Sequence, residues 1–156
     1  MQIALMKWYN FLKIMEESPL VRLDLRAPLE YAEVKGLDPF GCSIAEDYKQ
    51  ESLFCFELDV EQVGRIDPEA GLFLGKLIFS GRGNNESGNP STVRLTAGLY
   101  LFTQRRRLVN REECIYLAIE QQKDGLWERL QLENRLYIRR LFEDSSPVTQ
   151  LFRPYE

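Results

Sequence analysis

Between Phe54 and Val60 a large apolar side chain recurs at every second position, and an extended strand is what suits that pattern. Phe54, Phe56, Leu58 and Val60 fall on one face, and Cys55, Glu57, Asp59 and Glu61 on the other. A helix would scatter the same residues around its circumference. A strand with one apolar face needs neighbours, and the sequence supplies them. Asp67-Pro68-Glu69-Ala70-Gly71 is turn chemistry, with the proline presetting its backbone angle, and Leu72–Phe79 is expected to return as an antiparallel partner. Thr92–Gln104 reads as a third long strand with a bulge at Ala97-Gly98. Arg135–Phe142 and Val148–Phe152 read as two more, joined through Ser145-Ser146-Pro147. Arg22–Val34 is extended and interrupted by Pro28.

Helical signals sit between these strands. Asn110, with Glu113 three residues later, has the spacing of a helix N-cap, and Cys114, Leu117 and Ala118 supply an apolar face that Gly125 is expected to end. Ser43 and Glu46 repeat the capping spacing and predict a short helix to Gln50. Leu5, Trp8, Leu12 and Met15 recur at helical spacing, so residues 1–18 are expected to form an amphipathic helix that Pro19 stops. Residues 80–91 are rich in Gly, Asn and Ser and read as an exposed loop. The expected architecture is α+β: a twisted antiparallel sheet built from two strand–helix–strand–strand units, with the helices on one face. The N-terminal helix (1–18) precedes a single domain spanning 19–156.

Composition removes whole classes of chemistry. The chain of 156 residues has no histidine, which excludes Ser–His and Cys–His dyads, histidine-ligated metals and imidazole acid–base catalysis. Cys42, Cys55 and Cys114 are odd in number and widely spaced, so they are expected to be free thiols in a reducing, cytoplasmic compartment. A net charge of −4 opposes the positive field that phosphate backbones require, so no nucleic-acid partner is expected. No run of apolar residues reaches membrane-spanning length, and no cofactor is expected.

Three stretches carry a family resemblance. They are Leu95-Thr96-Ala97-Gly98-Leu99-Tyr100-Leu101-Phe102, then Leu136-Tyr137-Ile138-Arg139, then Val148-Thr149-Gln150-Leu151-Phe152-Arg153-Pro154. Together, over residues 92–155, they resemble the gyrase-inhibitor-like effector-binding superfamily, which includes the SOUL-type domains. Members repeat a strand–helix–strand–strand unit, and those that bind organic cations set a carboxylate in an aromatic pocket. Arg139 stands where that acid would be, so the resemblance implies an anionic or neutral ligand.

The residues themselves offer further candidates. Tyr100, Phe102, Trp127 and Tyr137 are expected to wall a ligand cleft between helix and sheet, with Arg139 as its polar contact. Arg105, Arg107 and Arg111 crowd ahead of the Asn110 helix and form a candidate anion site at its N-terminus. Glu57, Asp59 and Glu61 share a strand face but read as its wet side, and Gly81-Arg82-Gly83 lacks the helix a phosphate loop needs. The leading reading is a non-enzymatic module that binds or senses a small molecule. A protein-interaction or homodimerisation module docking through the N-terminal helix is the first alternative. A hydrolase using Glu113 or Glu128 as base is the second.

Overall fold

The computed structural model describes residues 21–40, 51–59, 75–83 and 91–156. They form eight strands: β1 (Val21–Leu25), β2 (Leu29–Glu33), β3 (Ser52–Leu58), β4 (Gly75–Arg82), β5 (Thr92–Leu95), β6 (Gly98–Arg105), β7 (Arg135–Glu143) and β8 (Ser146–Pro154). One helix, α1 (Arg111–Trp127), lies between β6 and β7. All strands join one antiparallel sheet in the order β1-β6-β8-β7-β3-β4-β2-β5.

The expected pair of strand–helix–strand–strand units is not seen. Each stretch read as one opening strand is two strands with a corner between them. Arg26-Ala27-Pro28 separates β1 from β2, and Thr96-Ala97 separates β5 from β6. Proline withholds a ladder donor at the first corner, and Gly98 takes a φ of 152° at the second, where a side chain is disfavoured. The two bent segments run alongside each other, β1 on β6 and β2 on β5, so they sit at both ends of the strand order. The helices expected over 1–18 and 43–50, together with Cys42 and Glu61, lie outside the described residues.

Sheet curvature follows from the packing. One apolar cluster takes side chains from all eight strands, including Leu23 on β1 and Val93 and Leu95 on β5 at the two edges. Edges that share a cluster require the sheet to curl around it. On the opposite face α1 covers a second cluster, in which Cys114, Ile115, Leu117, Ala118 and Ile119 meet Phe54, Phe56, Leu136, Ile138 and Leu151. Central strand β3 is therefore buried on both faces from Ser52 to Phe56, and only Glu57 escapes to solvent. Its alternation reports two different interiors, one under the helix and one inside the curl.

Local signals set the helix and the last hairpin. Asn110 caps α1 as expected, its side-chain oxygen accepting from the Glu113 amide at 2.9 Å. Asn110→Ala is expected to lower stability by about 1 kcal/mol in urea denaturation, leaving the sheet intact. The helix passes through Gly125, which packs under Leu132, and stops at Arg129 in the left-handed region with φ 60°. There the Leu130 amide donates to the Gly125 carbonyl and the Arg129 amide to that of Leu126, a Schellman closure without glycine. Asp144 and Ser145, both with positive φ, make the two-residue turn between β7 and β8. Among the described residues no helix is long and apolar enough to cross a membrane.

Candidate functional site

Inside the curl, the strand register stacks side chains in three layers. The middle layer is aromatic: Cys55, Tyr137, Phe152 and Phe102 are successive register partners across β3, β7, β8 and β6. Phe102 and Phe152 meet edge to face at 5.0 Å, and Tyr100 stands edge-on to Phe152 at 5.7 Å and to Tyr137 at 6.4 Å. Such arrangements favour a closed, well-ordered centre.

A polar layer closes one end. Leu53, Arg139, Gln150 and Gln104 are register partners there. The Arg139 guanidinium donates to Glu51 Oε1 at 2.6 Å, to the Tyr31 hydroxyl at 2.7 Å and to Gln150 Oε1 at 3.0 Å. Gln150 Nε2 in turn donates to Gln104 Oε1 at 2.8 Å. Burial raises the Tyr31 hydroxyl far above the usual phenol range, which keeps it neutral and able to bond. Arg139 therefore faces the inside of the curl, where Glu51 already provides its counter-charge.

The other end is open. A recess of about 90 Å³ is lined by the Thr96–Tyr100 corner, Glu133, Arg135, Tyr137, Pro154 and Tyr155. Arg135 is bonded to the Glu133 carboxylate and donates to the Tyr137 hydroxyl at 3.3 Å. The Glu133 bond is also what chiefly raises the Arg135 guanidinium above its ordinary value. Burial pushes Tyr137 up to about 12 and raises Tyr100, so both phenols stay protonated at neutral pH. The Tyr100 hydroxyl donates to the Thr96 carbonyl at 2.5 Å, and the Tyr137 hydroxyl is bonded to the Cys55 thiol. Cys55 itself is pushed up to about 12 by burial, which makes it a poor nucleophile. Arg135 is the fully charged donor on the recess wall. At the rim Leu99 is exposed and Tyr155 half-buried.

The sequence candidates are distributed across the molecule. Tyr100 and Tyr137 do wall the recess together. Phe102 shares a layer with Tyr137 but is completely buried and does not line the recess. Trp127, 87% exposed at the end of α1, stands away from both. The space between α1 and the sheet, where a cleft was expected, is filled by buried side chains. Of the basic trio, Arg105 is buried with Nη1 donating to the Gln104 carbonyl, Arg107 is paired with Glu113, and Arg111 is exposed on the first turn of α1. Glu113 and Glu128, the carboxylates considered as hydrolytic bases, are bound by Arg107 and Arg22. Among the described residues no three carboxylates or thiols come together as metal ligands.

Arg135, Glu133 and Tyr155 were not singled out by sequence. The available signal was the two-residue spacing of Arg135, Tyr137 and Arg139, which puts all three on one face of β7. No known protein family and no curated protein matches the chain.

Proposed function

We propose that this protein is a small-molecule-binding module whose ligand enters the open end of the curled sheet. One observation carries the reading: a concave recess in which a guanidinium and two neutral phenols converge beside an exposed apolar rim. A concavity in which a few polar groups converge is how proteins fix the orientation of a small ligand, and here most of the exposed lining is polar. Arg135 favours an anionic or neutral ligand over a cation.

The test is a titration of the ¹⁵N-labelled chain with a set of small aromatic acids, alcohols and amides. Amide shifts are expected to cluster at Thr96–Tyr100 and Glu133–Tyr137. Ala97→Phe, which adds a ring at the mouth on an exposed corner, is expected to remove those shifts without changing the melting temperature. Shifts that appear only elsewhere, or that survive Ala97→Phe, would overturn the assignment of the site.

A further inference from the structure

We infer that the recess takes the carboxylate of a small organic acid, and that Glu133 is a built-in competitor for the same guanidinium. The inference rests on the binding reading above and specifies its chemistry.

Three observations lead to it. First, the two inner hydroxyls on the wall are engaged: Tyr100 donates to the Thr96 carbonyl, and Tyr137 is bonded to Arg135 and Cys55. What a ligand can contest is the Arg135–Glu133 pair. Second, that pair shows what the guanidinium prefers. A planar fork matches a carboxylate, and the chain has put one of its own there. Both partners are partly exposed, so exchanging one carboxylate for another is cheap: an exposed ion pair shifts an equilibrium by about five-fold at most. Third, size limits the occupant. An engineered cavity of ~150 Å³ admits benzene, and this recess of about 90 Å³ is smaller. A ring therefore does not enter whole. The carboxylate goes in, and the apolar body rests on Leu99 and Tyr155 at the rim.

Charge alone does not produce this preference. Glu57 is the register partner of Arg135 on β3, so the mouth carries a second carboxylate. Glu57 is exposed and outside the recess lining, and its repulsion is screened over a Debye length of ~8–10 Å. This supplies a control, because Glu57→Gln and Glu133→Gln remove the same charge but only the second vacates the fork.

Benzoate and benzyl alcohol serve as probes, at constant ionic strength, with Kd read from the Gly98 and Arg135 amide shifts. Benzoate is expected to bind at least ten-fold more tightly than benzyl alcohol. Glu133→Gln is expected to tighten benzoate about three- to five-fold, and Glu57→Gln by less than two-fold. Arg135→Gln is expected to weaken it at least ten-fold, and Arg135→Lys, which keeps the charge and loses the fork, by an intermediate factor. Equal binding of the two probes, or equal effects of the two Glu→Gln changes, would overturn the carboxylate inference while leaving the binding reading standing. Silence of both probes in wild type and in Glu133→Gln would overturn both.

Discussion

Phe102→Ala is expected to lower the free energy of unfolding by about 3–5 kcal/mol. Phe102 is 0% exposed and sits in the aromatic layer, 5.0 Å edge-to-face from Phe152. Its β6 neighbours across the ladder are Val21 on β1 and Phe152 on β8. Removing the ring empties the middle of a cluster to which every strand contributes, and neighbours held by a continuous ladder cannot collapse into the gap. For a domain of this size the loss corresponds to roughly 6–20 °C in melting temperature. Urea denaturation followed by far-ultraviolet circular dichroism measures it. A loss under about 1 kcal/mol would mean that Phe102 lines open space, and the closed middle layer would be wrong. The effect separates Phe102 from Tyr100 and Tyr137, with which sequence reasoning grouped it.

Sequence made the local features of this protein readable and left the long-range ones obscure. Asn110 is a legible cap because its partner, the Glu113 amide, is three residues away. The helix stop was misplaced at Gly125 because glycine is the usual left-handed residue, whereas Arg129 takes that conformation here. Tyr100 and Tyr137 were legible as a pair of rings on strands. Arg139 was read as the polar contact of a cleft under the helix, and neither its place inside the curl nor its partner Glu51, 88 positions away, was legible. The same limit hid Arg135. Residues 135, 137 and 139 share a face, yet which end of β7 opens to solvent depends on the strand order, and no local pattern encodes strand order. The duplicated strand–helix–strand–strand unit expected from the sequence is not seen, because corners at Pro28 and Gly98 turn each opening strand toward two different partners.

Arg153→Met is expected to raise stability by about 1–3 kcal/mol at pH 7, an unusual sign for a buried position. Arg153 is 1% exposed on the helix-covered face of β8. Its Nε donates to the Glu133 carbonyl at 2.5 Å, while Nη1 has no hydrogen-bond partner among the described residues. Desolvation, with no acidic partner to oppose it among the described residues, lowers its pKa from the ordinary guanidinium value to about 10. The group is still charged at neutral pH, so the folded state carries the penalty of a desolvated cation. Methionine keeps most of the aliphatic stem and removes the charge. The sign with pH follows from the folded pKa lying below the unfolded one. Above about 10, and up to the ordinary guanidinium value, the unfolded chain holds the proton more tightly, so wild-type stability gains from Arg153 as pH rises through about 10, and the advantage of Arg153→Met shrinks there. Parallel urea titrations at pH 7 and near pH 10 measure both quantities. A destabilised Arg153→Met would show that holding the Glu133 carbonyl outweighs the buried charge. Because Glu133 also carries the carboxylate on Arg135, such a result would make Arg153 the residue that positions one wall of the recess.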